Sequence, residues 1–468
     1  MKKIFCILSL LLVWGLILPV TANARDKMAG DASTPIHRGR KLATKPLPPP
    51  NHPLDMDQTV RRAIKYNPSL GSQEAQHESS EAARKSARGA FGPKLGMTYS
   101  ASKQERKMET YYESTARLPE KGTYTLSIEV SQPIFQGFEL LAKYQKAALQ
   151  AESDKAQIRN AELTMAQSVQ AEFLNYLRYE ESAKSRKESL NRLLDQLAIT
   201  TAFYEVGLRP RIDVLQAEVD VRQAENTLIQ MENNRDTSQA HLNTLIGLAV
   251  GSKVQYVGKL AYRPFKRTLE QCLETAYRMR PDIYIAILAV DISRKSQKEV
   301  QAGYYPHIEA YWNMTNTGNT LDLQKSGNYG SRSSVWEVGA RATWDVFQWG
   351  TTYYADKSAG ALVTKMRYAL EDLRLNVGYE VKSRFLAVRE AEKRIAVSEK
   401  AVEQAKEAYN VAQTRYQEQV GTNFDVLDAS ANLTLAESEL TGAKADYFTA
   451  LSQLYMSMGE YHPNLLQP

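Results

Sequence analysis

Tyr124-Thr-Leu-Ser-Ile-Glu-Val130-Ser-Gln-Pro-Ile-Phe-Gln136-Gly-Phe-Glu-Leu-Leu-Ala-Lys-Tyr-Gln-Lys-Ala-Ala-Leu-Gln150 is the stretch that decides the fold. Tyr124, Leu126, Ile128 and Val130 alternate with Thr125, Ser127 and Glu129, so a strand here has one apolar and one polar face. After Gln132-Pro133 and Gly137 the pattern changes. Residues 138–206 contain neither proline nor glycine and are rich in Ala, Leu, Gln, Glu, Lys and Arg, all strong helix formers. At ~1.5 Å per residue such a helix is on the order of 100 Å long. Ordinary globular domains do not need helices of this length.

The same order of parts occurs twice. Asn67-Pro68 returns as Arg280-Pro281, Pro93 as Pro306, Ile134-Phe135-Gln136 as Val346-Phe347-Gln348, and Asp213-Val214-Leu215 as Asp425-Val426-Leu427. The fold class expected is mainly α with a small β part. The first unit, 54–248, holds a helix, strands over about 94–102 and 123–132, a long helix over about 138–206 and a helix over about 212–246. A linker, 249–267, leads to the second unit, 268–459. It repeats the order: a helix, strands over about 307–315 and 335–346, a long helix over about 351–420 and a helix over about 425–458, before a tail at 460–468. Within the second long helix, Gly360 and Gly378 are the weak points.

The shorter helices, 56–90 and 212–246, together match the long one in length, as do 269–302 and 425–458 in the second unit. Each unit therefore forms two antiparallel rods, one continuous and one in two pieces. Val214, Ala217, Val221, Ala224, Leu228 and Met231 are spaced three and four apart, as are Val426, Ala429, Leu433, Ala436, Leu440 and Ala443, and as are Val402, Ala405, Tyr409, Ala412 and Tyr416. Such seams pack as knobs into holes. A plain coiled-coil dimer would explain the seams but not the strands.

At the N-terminus, Lys2 and Lys3 precede an apolar run from Ile4 to Val20 and the small residues around Ala22-Asn23-Ala24. That is the form of a secretory signal peptide, 1–24. A basic, proline-rich leader, 25–53, follows. The formal charge of +6 resides in these two segments, and the rest of the chain is neutral, so composition makes no case for nucleic-acid binding. Cys272 is the only cysteine after the signal, so no internal disulfide is available. Beyond the signal no apolar run is long enough for a membrane-spanning helix.

Strands are the remaining route into a membrane. About ten alternating residues with Trp or Tyr near the ends is the pattern of an outer-membrane strand. Each hairpin carries a long polar tip, 102–122 and 315–334. Four strands in lipid leave two edges of unpaired backbone groups, each costing several kcal/mol, and one chain cannot close a barrel with four. Three copies give twelve strands, which can leave a passage. The expectation is a homotrimer: a twelve-stranded barrel continued by an α-barrel tunnel of long antiparallel helical hairpins.

With these features in place, the chain resembles the outer-membrane efflux protein family, the TolC-like channels. The residues that carry the likeness are Ala63-x3-Asn67-Pro68-Ser69-Leu70, Ser131-Gln132-Pro133-Ile134-Phe135-Gln136-Gly137, Tyr204-Glu205-Val206-Gly207-Leu208 with Asp213-Val214-Leu215-Gln216-Ala217-Glu218, and Val420-Gly421-Thr422 with Asp425-Val426-Leu427-Asp428-Ala429. The likeness spans about residues 54–460. It implies a passive conduit from periplasm to exterior, in a tripartite efflux or type I secretion system of a Gram-negative bacterium. Its partners would be a periplasmic adaptor (membrane fusion) protein, through it an inner-membrane ABC or proton-driven pump, and outer-membrane lipid.

The likeness also assigns roles. Val206, Gly207, Leu208, Arg209, Pro210, Val420, Gly421, Thr422 and Asn423 would form adaptor-docking tips. Asp425 and Asp428, with Asp213, would ring the periplasmic entrance. Read from the residues alone, the tips are helix–helix turns, and the aspartates stabilise helix first turns. Aligned on Val-Gly, the second turn counts about two residues shorter than the first.

Nothing in the sequence supplies a catalytic constellation, a cofactor loop or a metal pair: the six histidines are scattered, and Gly-rich phosphate loops and G-x-S-x-G are missing. The competing reading is an exported coiled-coil structural or adhesion protein of the envelope.

Overall fold

The computed structural model describes residues 50, 52–104, 121–324, 332–463 and 465–466. The expected signal peptide, nearly all of the leader, and much of both hairpin tips lie outside the described residues.

In chain order the elements are α1 (Met56–Tyr66), α2 (Pro68–Gly89), β1 (Lys94–Gln104), β2 (Lys121–Gln136), α3 (Glu139–Glu205) and α4 (Arg211–Leu245). After the linker come α5 (Leu269–Met279), α6 (Pro281–Gln301), a 3-10 turn (Ala302–Tyr304), β3 (His307–Gly318), β4 (Ser333–Thr343), α7 (Thr351–Gln417) and α8 (Asn423–Ser457).

The first helix of each unit is broken where one helix was expected. At Asn67 and Arg280 the backbone is extended (ψ 126° and 122°) and a proline opens the next helix. The residue before proline is driven out of the α region, and proline at the first helical position loses no hydrogen bond. Asn67 also accepts from the Ser69 N–H at 2.9 Å and donates to Leu245 O at 2.9 Å, tying the break to the end of α4.

Both long helices contain 67 residues. Helix α7 runs unbroken through Gly360 and Gly378. At those positions a Cβ would come 3.2 Å from Gln297 Nε2 and 2.8 Å from Tyr277 Oη, so the glycines admit the side chains of α6 and α5. Packing, not helix propensity, sets their identity.

The helices form a wall four rods wide. In one layer α2 packs on α3, α3 on α6 and α6 on α7; in the other, α4 packs on α3, α3 on α8 and α8 on α7. Helices α3 and α7 run the full height, and α7 is one edge of the wall. The main core lies at mid-height, where Phe173, Leu174, Val381, Val388, Tyr447 and Leu454 meet Val254, Tyr256 and Phe265 of the linker and Cys272 and Ala276 of α5. A smaller cluster of Tyr409, Tyr416, Val426 and Leu433 closes the seam toward the far tips.

The four strands form one antiparallel sheet in the order β1-β2-β3-β4. Strand β2 continues past Pro133 to Gln136 with a shift in register, beyond the expected end at about 132. Strand β4 stops at Thr343, short of the expected 346. None of the described helices is long and apolar enough to cross a membrane.

Candidate functional site

Two turns at the end of the helical wall farthest from the sheet, with the first residues of the helices that follow them, hold every residue singled out in the sequence. Helix α3 ends at Glu205 and α4 begins at Arg211; helix α7 ends at Gln417 and α8 begins at Asn423. Both turns are therefore the same length, and the shorter second turn expected from the sequence is corrected. The error came from aligning Val206-Gly207 with Val420-Gly421. Gly207 is left-handed at φ 74°, but its structural counterpart is Gln419 at φ 63°, two residues before Gly421. Gly421 serves a different need: a Cβ there would lie 3.2 Å from the backbone carbon of Arg415. Its N–H donates to Arg415 O at 3.0 Å, so the chain folds tightly back on the helix end.

A polar network joins the two turns. Asn423 is only 3% exposed. Its Oδ1 accepts from Gln196 Nε2 at 2.8 Å and from Thr200 Oγ1 at 3.2 Å, and its Nδ2 donates to Asp213 O at 3.1 Å. The Thr200 and Tyr416 hydroxyls are 3.1 Å apart. Arg209 donates to Gly421 O at 2.6 Å, and its guanidinium lies 5.0 Å from the Tyr416 ring centre. Arg209 and Asn423, expected on a docking surface, are thus engaged in fastening one turn to the other. The outward surface belongs to Val206, Leu208, Val420 and Phe424, all exposed.

Gln196, Thr200 and Phe424 escaped the sequence reading. Gln196 and Thr200 look like any i, i+4 polar pair on a wet helix, and only the partner helices reveal their burial. Tyr416 was legible as a seam residue, but not as a hydrogen-bond partner.

The aspartates differ from one another. Asp425 completes a reciprocal cap: its carboxylate accepts from the Thr422 N–H at 2.9 Å and hydroxyl at 2.8 Å, while its own N–H donates to Thr422 Oγ1 at 3.2 Å. Hydrogen bonds from the Thr422 backbone and hydroxyl hold its pKa below the usual carboxylate value. Asp428 is exposed and accepts from Asn432 Nδ2 at 3.1 Å. Asp213 lies in the first turn of α4, but its side chain makes no capping bond. The arrangement leaves Asp428 presented to water and Asp425 tied into the turn. Among the described residues no group of three or more His, Cys, Asp or Glu could hold a metal ion.

Comparison with known proteins bears on the family and the fold. The sequence model described as Outer membrane efflux protein matches residues 59–248 and 272–460. The alkaline protease secretion protein AprF of Pseudomonas aeruginosa is 23% identical over 410 residues, covering 85% of this chain and 82% of AprF. The outer membrane protein TolC of Vibrio cholerae is 23% identical over 417 residues, covering 86% of this chain and 90% of TolC. Among solved structures, the CmeC outer membrane channel of Campylobacter jejuni superposes with a TM-score of 0.75 at 15% identity, covering 87% of this chain and 86% of CmeC.

Proposed function

This chain belongs to the outer membrane efflux protein family, and from that membership we propose a homotrimeric conduit that carries cargo from the periplasm across the outer membrane for an efflux or type I secretion system. The observation that carries the reading is the sheet. Its order leaves β1 and β4 as unpaired edges, and lipid tolerates no open edge. Three copies joined β4 to β1 close a twelve-stranded barrel and remove every edge.

The helical wall supports the same closure. Helix α7, at the edge, exposes Tyr368, Leu375, Tyr379, Leu386, Val397 and Val411. Helix α4, on the other side, exposes Ile212, Leu215, Val219 and Ile229. A stripe of this kind on a protein of neutral body marks a protein contact, and the neighbouring copy supplies it. Trp344, Phe347, Trp349 and Tyr354 are exposed just below the strands, where an aromatic girdle meets the membrane–water boundary.

The tips then point into the periplasm. The apolar residues Val206, Leu208, Val420 and Phe424 offer a docking surface for a periplasmic adaptor, through which an inner-membrane pump supplies the energy. The conduit itself performs no chemistry in this reading. Around the threefold axis the aspartates Asp425 and Asp428, with Asp213 behind them, line the entrance and favour cations.

The test is a planar-bilayer recording of the purified trimer. Asp425→Asn with Asp428→Asn is expected to weaken block by multivalent cations added on the tip side. Unchanged block removes the entrance role, and failure to form any channel removes the conduit.

A further inference from the structure

The barrel reading above is the basis for an inference about its bore. Residues directly paired across strands share a face. One face carries the rows Leu95–Val130–Trp312–Val338 and Met97–Ile128–Met314–Trp336, and these meet lipid. The alternate rows line the bore. From the helical end outward they are His307–Thr343, Glu309–Arg341, Lys94–Ser131–Tyr311–Gly339, Gly96–Glu129–Asn313–Glu337, Thr98–Ser127–Thr315–Val335, Ser100–Thr125–Thr317–Ser333, Ser102–Thr123 and Gln104–Lys121.

Charge is segregated along these rows. Glu129, Glu309, Glu337, Lys94 and Arg341 all fall in the three adjacent rows from Glu309–Arg341 to Gly96–Glu337, the next three rows hold hydroxyls and Val335, and the outermost row ends on Lys121. The inner charges are also held differently. Arg341 lies 3.6 Å from Glu309 and 5.3 Å from the Tyr311 ring centre, and Tyr311 donates to Glu337 at 2.6 Å. Gly339 lets that ring lie along the wall, since a Cβ there would come 2.8 Å from Tyr311 Oη. The Glu129 carboxylate, by contrast, is exposed and makes no side-chain hydrogen bond or ion pair among the described residues.

We propose that the inner half of the barrel bore is a cation-favouring electrostatic filter, separate from the tip aspartates. Glu129 is its free charge, and the Glu309–Arg341–Tyr311–Glu337 ladder pins the compensating charge to the wall. Three carboxylates against two cations leave one excess negative charge per subunit, repeated around the ring. Low-dielectric walls focus that field onto permeant ions and onto charged parts of a cargo. The hydroxyl sleeve beyond it passes both signs.

Thiol reporters test the filter in the intact trimer in liposomes, because the one cysteine of the described residues, Cys272, is fully buried. The reporters are Asn313→Cys in the charged zone and Ser100→Cys in the sleeve. Each is labelled with a cationic and with an anionic methanethiosulfonate, and the rate ratio is normalised to a free thiol. At Asn313→Cys the cationic reagent is expected to lead several-fold. Glu129→Gln with Glu337→Gln is expected to abolish that lead, Arg341→Gln to increase it, and Ser100→Cys to show none. Should the double variant not assemble, Glu129→Gln alone carries the test. A normalised ratio of one at Asn313→Cys, or a lead indifferent to Glu129→Gln, overturns the filter. Val130→Cys on the opposite face separates this from the parent reading: if it labels as fast as Asn313→Cys, the barrel reading itself fails.

Discussion

Gly137 and Phe138 adopt φ of 57° and 68°, and Trp349 and Gly350 adopt 49° and 82°. Each long helix is thus entered from the sheet through two consecutive left-handed residues, with glycine first in one unit and second in the other. At Gly137 a Cβ would stand 2.5 Å from Ala302 O. Gly137→Ala adds that clash to a conformational cost of about 1–2 kcal/mol, so a lower temperature of trimer dissociation is expected on unheated gels. At the tip, Gln419 bears the same left-handed cost without glycine. Gln419→Gly should raise stability by about 1 kcal/mol, measured as slower hydrogen exchange at the end of α7; faster exchange would contradict the assignment. Asp425 gives a pH test. Its depressed pKa makes its cap fully effective above about pH 4, the unfolded value, and the contribution fades as pH falls through the folded one. Asp425→Asn should therefore lower the dissociation temperature at neutral pH, with the gap to wild type narrowing below pH ~4.

The turns between helices show what the sequence revealed and what it hid. The long helices were legible from the absence of proline and glycine, and the seams from their three-four spacing. The end of α7 and the start of α8 were not, because Val420-Gly421 imitates the stop at Val206-Gly207 while the left-handed residue is Gln419. A glycine needed for close approach reads the same as one needed for positive φ. The breaks at Asn67 and Arg280 were marked by the prolines but subsumed in a longer helical pattern. The tip network was invisible, since burial of Gln196 and Thr200 depends on helices distant in sequence. Asn423→Ala removes the acceptor that Gln196 and Thr200 share and the donor to Asp213 O, a loss of about 1–3 kcal/mol. Loosened tips should show as larger or more frequent conductance openings in bilayers. An unchanged conductance trace would mean that the network serves folding alone.

Across the whole molecule, duplication turns one set of parts into a wall and a sheet whose free edges match. Each unit contributes a hairpin, a full-height helix and three shorter ones, and the two units sit side by side in both layers. In the proposed trimer the twofold-written chain becomes one of three equal sectors. Two edges per copy, β1 and β4, are what force assembly, and the exposed apolar stripe of α7 extends the same demand down the wall. Cysteines placed at Thr98 on β1 and Val335 on β4 test this most directly, with a short bifunctional crosslinker applied to the protein in its outer membrane. The account predicts a covalent ladder of one, two and three chains that stops at three. A protein that stays monomeric, dissolves without detergent and gives no ladder would contradict it.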